Sequence, residues 1–109
     1  VLVAGPALAA RVREATGAAA IRLGIDAVAG SGTQRIADCL ADGSRLVVYG
    51  AMSHEPCRLE FYSLLFRDVT VCGFSTTRQL QTRTPDERRR LYLELAALVA
   101  DGTLPAKVA

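Results

Sequence analysis

Three short apolar runs, each carrying glycine at or just past its end and separated by segments with helical spacing, constrain this chain more than any other feature. They are Arg22-Leu23-Gly24-Ile25-Asp26-Ala27-Val28-Ala29 before Gly30, then Arg45-Leu46-Val47-Val48-Tyr49-Gly50, then Val69-Thr70-Val71-Cys72-Gly73-Phe74. Their apolar density predicts strands covered on both faces. A fourth run, Val1-Leu2-Val3-Ala4, predicts a short strand ended by Gly5-Pro6.

Helical signals fall between the runs. Pro6 suits a first turn, Leu8, Val12 and Ala15 share one face, and Gly17 is a stop. Gly30-Ser31-Gly32-Thr33 predicts a tight turn, followed by a short helix through Ile36, Ala37 and Leu40 that stops at Gly43. Leu59, Phe61, Leu64, Leu65 and Phe66 suggest a helical turn over an apolar surface, and residues 78–83 read as a polar loop. Thr84-Pro85-Asp86-Glu87 is a capping box with proline at its first helical position. It starts a helix with Leu91, Leu95, Leu98 and Val99 on one face and Gly102 at its end, after which residues 104–109 read as extended. Strands alternating with helices predict an α/β fold with a mostly parallel sheet.

Composition narrows the function classes. At 109 residues and 50% apolar content the chain suits one small domain with a core. A net charge of +2, 6% aromatic residues and no Trp disfavour a polyanion partner or a base-stacking nucleic-acid module. No apolar run approaches the ~18 residues of a membrane span. Cys39, Cys57 and Cys72 are odd in number and widely spaced, which predicts reduced thiols packed as small hydrophobes, no metal site and a cytoplasmic protein. The chain opens at Val1 without Met or a secretory signal and reads as part of a longer protein.

In an open parallel sheet, ligands bind beyond the carboxyl ends of the strands. The residues there are Gly30, then Tyr49, Gly50, Ala51 and Met52, then Phe74, Ser75 and Thr76. Three glycine-bearing strand ends on one rim suit an extended, flat cofactor. Gly30-Ser31-Gly32 does not complete a dinucleotide fingerprint, because Arg35 holds the third glycine position. Asp26, inside an apolar strand, is read as a structural carboxylate bonded to nearby backbone, and His54 as a surface residue. No nucleophile–base–orienter set is present, so no catalytic residue is assigned.

The runs around Asp26, Tyr49-Gly50 and Phe66-Arg67-Asp68, with the Thr84 helix and Asp101-Gly102, together resemble the cofactor domain of medium-chain dehydrogenases/reductases. Within that superfamily the pattern is most similar to the zinc-independent branch of quinone oxidoreductases and 2-enoyl thioester reductases. The resemblance implies a partial Rossmann fold, strands three to six of a doubly wound sheet. Residues 1–109 would form one incomplete nucleotide-binding domain, and 103–109 the start of a return to a catalytic domain. It further implies NADP(H) as cofactor, with Gly30, Tyr49, Gly50, Ala51, Met52, Phe74, Ser75 and Thr76 around the nicotinamide. The acceptor would be an enoyl thioester or a quinone-like molecule, the partner a second copy paired through Val69 to Phe74, and the piece alone inactive. The chain departs from the family at Ala29, where paired glycines are common, and at Ser75, where enoyl reductases often carry Trp. The alternative is a non-catalytic α/β nucleotide-binding or dimerisation module.

Overall fold

The computed structural model describes residues 4–105. Residues 1–3 of the expected opening strand, and 106–109 of the expected extended tail, lie outside the described residues. The chain forms two compact units, the first ending at Ser75 and the second beginning at Thr76.

In the first unit, α1 (Leu8–Ala15) precedes β1 (Leu23–Asp26), α2 (Ser31–Ala37), β2 (Arg45–Val48), α3 (Phe61–Leu65) and β3 (Thr70–Gly73). The three strands form one parallel sheet in the order β1-β2-β3. That is the α/β, mostly parallel architecture expected from the alternation of strands and helices. All three strands are shorter than the apolar runs. β1 stops at Asp26 because its carboxylate takes the next backbone N–H groups, those of Val28 and Ala29, and turns the chain. α2 starts at Ser31, inside the stretch expected to be only a turn.

Pairing aligns Gly24 with Leu46 and Val71 on one face, and Ile25 with Val47 and Cys72 on the other. The first face is covered. Ala37 and Leu40 from the α2 region pack on Leu46 and Val69, joined by Ile21, Ile36, Leu59 and Val71. α2 lies so close to β1 that a Cβ on Gly24 would be 2.7 Å from the Ile36 side chain. The other face is open, with Leu23 54% and Ile25 60% exposed. Coverage on both faces is therefore not what the described residues form. Apolar density reports what a strand is suited to bury, not whether a partner layer is present.

Three further expectations change. Phe61, Leu64, Leu65 and Phe66 are exposed, and the residue that α3 buries is Ser63. Its carbonyl accepts from Val69 N–H at 3.0 Å and its hydroxyl from Gln34 at 3.3 Å, so polar contacts dock this helix. Cys57 and Cys72 are exposed and Cys39 half-buried, so none is a fully packed core thiol. Cys72 projects from the open face of the sheet, and Cys57 sits in the loop before α3.

In the second unit, the stretch expected as a polar loop is instead α4 (Thr76–Gln81). Its Arg, Gln and Leu are good helix formers, and no Gly or Pro interrupts it. α5 (Pro85–Ala100) carries the expected capping box, with Thr84 accepting from Glu87 N–H at 3.3 Å and Glu87 accepting from Thr84 N–H at 2.7 Å. Gly102, at φ +80°, ends it.

Candidate functional site

The three strands end level. Asp26 stands opposite Val48, and Val48 opposite Gly73, so the segments that follow leave the sheet from one rim. The parallel ladder continues a little further. Tyr49 N–H donates to Asp26 C=O at 2.9 Å and Phe74 N–H to Val48 C=O at 2.9 Å. Gly30, Tyr49, Gly50, Ala51, Met52, Phe74 and Ser75 therefore sit at neighbouring strand ends of the first unit. Thr76 belongs to the second unit, where it begins α4.

Beyond β1 and β2 the two loops are tied through main chain. Met52 N–H donates to Ala27 C=O at 3.1 Å, and Ser53 N–H to Val28 C=O at 2.9 Å. Gly50 passes so near the β1 turn that a Cβ there would lie 2.6 Å from the Ala27 carbonyl oxygen. Among the described residues, neither Gly50 N–H nor Ala51 N–H is taken up by another group. Tyr49, Met52 and Phe74 are exposed around this bare stretch, Met52 at 75%.

Gly30 is buried and plays a different part. At φ +58° and ψ −140°, a conformation open essentially to glycine, it turns the chain into α2. Its carbonyl accepts from Arg58 N–H at 3.0 Å, and the Ser53 hydroxyl would meet any Cβ placed on it at 3.1 Å. Gly30 thus organises the rim from below, whereas Gly50 and Ala51 present main chain to it. Ala29 beside it also has positive φ, at +64°, which is the physical reason a glycine pair suits this turn.

The one buried charge at the rim is Asp26, 1% exposed. One carboxylate oxygen accepts from Val28 N–H at 2.8 Å and Ala29 N–H at 3.1 Å, the other from the Thr33 hydroxyl at 2.7 Å. Burial raises its pKa, but the bonds from Thr33, Val28 and Ala29 outweigh that and hold it below the ordinary carboxylate value. Asp26 is therefore structural, as its place in an apolar strand suggested. Thr33, Ser53 and Arg58 were not read as part of this framework. Only the lone carboxylate pointed toward it, through its need for nearby donors.

His54 is exposed, at φ +57°. Burial and the neighbouring Asp38 push the pKa of the Cys39 thiol up. Among the described residues no three His, Cys, Asp or Glu side chains converge on a metal position. No described helix is long and apolar enough to cross a membrane.

A cleft of about 520 Å³ opens elsewhere, between α1, the segment that leads into β1, the segment that follows α2, and Arg67. It shares no residue with the rim, and its Arg67 is committed to Asp42 at 3.0 Å and to the carbonyls of Ala37 and Leu40.

No protein-family model matches the chain. It is 32% identical over 85 residues to the mitochondrial enoyl-[acyl-carrier-protein] reductase of Mus musculus, a match that covers 78% of this chain and 23% of that protein. The mitochondrial enoyl-[acyl-carrier-protein] reductase of Dictyostelium discoideum is also 32% identical, over 71 residues, covering 65% of this chain and 20% of that protein. The chain thus spans about a quarter or less of the length of these relatives. Among solved structures, Escherichia coli quinone oxidoreductase complexed with NADPH superposes with a TM-score of 0.76 at 27% identity, covering 94% of this chain and 31% of that one. The Etr1p complex with NADP and crotonyl-CoA gives 0.78 at 20% identity, covering 96% and 29%, a likeness of fold.

Proposed function

Because this chain belongs to the medium-chain dehydrogenase/reductase superfamily, we propose that it forms the nicotinamide-side part of a cofactor site in an NADP(H)-dependent oxidoreductase. The observation that carries this reading is the level rim of three parallel strands. Its central loop offers bare glycine main chain and two N–H groups without a partner among the described residues. Such a surface fits a flat ring bearing an amide. Tyr49, Gly50, Ala51 and Met52 would lie along the ring, with Phe74 and Ser75 meeting the carboxamide side and Gly30 holding the turn beneath. When bound, the cofactor supplies the hydride; the chain's own work is to bind, orient and exclude water.

The acceptor proposed is a polarised C=C bond in an enoyl thioester, with a quinone-like molecule second. The names of the relatives support this order, and the Etr1p complex contains crotonyl-CoA. No proton donor is assigned among these residues. Residues 1–109 are proposed as part of a single nucleotide-binding domain, with 103–109 beginning the return to a catalytic domain.

We further propose a homodimer through residues 69–74. β3 is the edge of the described sheet. Thr70 and Phe74 donate their N–H groups inward, to Ser44 and Val48, so the intervening Val71 and Gly73 N–H groups face outward along the free edge. An isologous antiparallel contact would satisfy both.

The test is NADPH oxidation by the intact protein carrying this sequence, with crotonyl-CoA and separately with a para-benzoquinone. Stoichiometric reduction of crotonyl-CoA supports the enoyl reductase reading. Reduction of the quinone alone moves the substrate to the second class. Failure to bind or oxidise NADPH sinks the reading and leaves a non-catalytic module.

A further inference from the structure

We propose that Asp26, clamped by Thr33, is a positioning residue that sets the height of the loop from Tyr49 to Met52 on the rim. This rests on the cofactor reading above. The turn after β1 lies between the carboxylate and that loop. On one side Asp26 holds the turn, through Val28 N–H at 2.8 Å and Ala29 N–H at 3.1 Å. On the other side the same turn holds the loop, since the carbonyls of Asp26, Ala27 and Val28 accept from Tyr49, Met52 and Ser53 in succession. Every loop donor named here therefore hangs on backbone that the Asp26 side chain fixes.

The turn needs such an anchor. Ala29 and Gly30 are successive residues with positive φ, at +64° and +58°. For alanine that conformation is strained and persists only where its surroundings hold it. A buried carboxylate is also a costly filler, and no cation pairs with this one among the described residues. Among the described residues its carboxylate bonds run to the turn and to the first turn of α2, so its contribution lies in geometry. Thr33, fully buried on α2, fixes the second carboxylate oxygen and ties the turn to the helix that packs on β1. Gly50 completes the arrangement, because the loop can approach the Ala27 carbonyl only without a side chain there.

The experiment compares the intact protein with Asp26→Ala, Asp26→Asn and Thr33→Val. It reads KM and kcat for NADPH, affinity for adenosine 2′,5′-bisphosphate, and hydrogen exchange at the Met52 and Ser53 amides. Asp26→Ala is expected to raise KM for NADPH by about tenfold, the scale of a lost bond to a charged group. It should speed exchange at Met52 and Ser53 while leaving affinity for the adenosine fragment unchanged. Asp26→Asn keeps an acceptor for the turn, and the Thr33 hydroxyl can turn to accept from its amide, so it should restore both readouts. Thr33→Val, which removes one bond only, should fall between the alanine variant and the native protein, and it decides the matter if Asp26→Ala does not fold.

Unchanged exchange at Met52 and Ser53 overturns the proposal, as does faster exchange with an unchanged KM. Equal loss of affinity for NADPH and for the adenosine fragment also overturns it, by making the effect a general loss of fold. If the native protein does not bind NADPH, the cofactor reading fails instead. The exchange data then still report on the link between Asp26 and the loop.

Discussion

Gly50 and Ala27 approach until no side chain fits between them: a Cβ on Gly50 would stand 2.6 Å from the Ala27 carbonyl oxygen. The contact is backbone against backbone, so neither partner can swing aside. Gly50→Val should push the loop off the β1 turn and break the Met52 bond to Ala27, destabilising the protein by about 1–3 kcal/mol, the usual scale of overpacking. Gly73→Ala is the control, because nothing lies within 4 Å of the added methyl. Thermal denaturation and the KM for NADPH check both. The valine variant should lose stability and cofactor binding, and native behaviour there would contradict the proposed ring site.

Acid should act through Asp26. Against the upward push of burial, the bonds from Thr33, Val28 and Ala29 hold its pKa in the folded chain below the ordinary carboxylate value, so the unfolded state binds its proton first as pH falls. The stabilisation is complete above the unfolded value and is lost as pH drops through the lowered folded value. The native protein should therefore lose more stability than Asp26→Asn on going from about pH 5 to pH 2. Denaturant midpoints measured across that range test this, and parallel curves would show that the carboxylate is not the group responsible.

At α5, Thr84→Ala removes the hydroxyl that accepts from Glu87 N–H at 3.3 Å. The expected loss is about 1 kcal/mol of helix stability. It should appear as faster amide exchange in the first turn of α5.

The open sheet face should make this chain associate with itself. Leu23 and Ile25 stand on it more than half exposed, on a strand that is an edge of the sheet formed by the described residues. Light scattering across micromolar concentrations should give a mass that rises with concentration, and Ile25→Lys should suppress the rise. A monomer mass independent of concentration would count against it.

The dimer proposed through β3 needs a probe outside the core. Val71 packs against the buried cluster, so a charge there would unfold β3 as well as repel a partner. Cys72 is exposed on the same strand. Cys72→Glu should halve the apparent mass of the intact protein in size exclusion without lowering its melting temperature. An unchanged elution volume would rule out this edge as the contact.

The alternation of strands and helices, the parallel sheet and the rim could be read from sequence because they follow from short-range rules. Buried parallel strands need apolar runs, and a chain leaving such a strand needs glycine or a capping side chain at its end. The α4 helix was hidden because a polar run without Gly or Pro is equally at home in a loop. α3 misled because its Phe and Leu residues advertise a core, while the contact that docks it runs through Ser63.

By itself the sequence determined that strands and helices alternate, that the strands run parallel, that Thr84 starts a long helix and that Asp26 must find partners. Each of these is a demand made by one residue or one local pattern. Only the tertiary structure decided who meets the demand. It joined Asp26 to Thr33, set the β1 turn under the loop from Tyr49 to Met52, and left one face of the sheet open. Those outcomes depend on strand register and on how closely two backbones approach, and both are fixed by the packing of the whole unit.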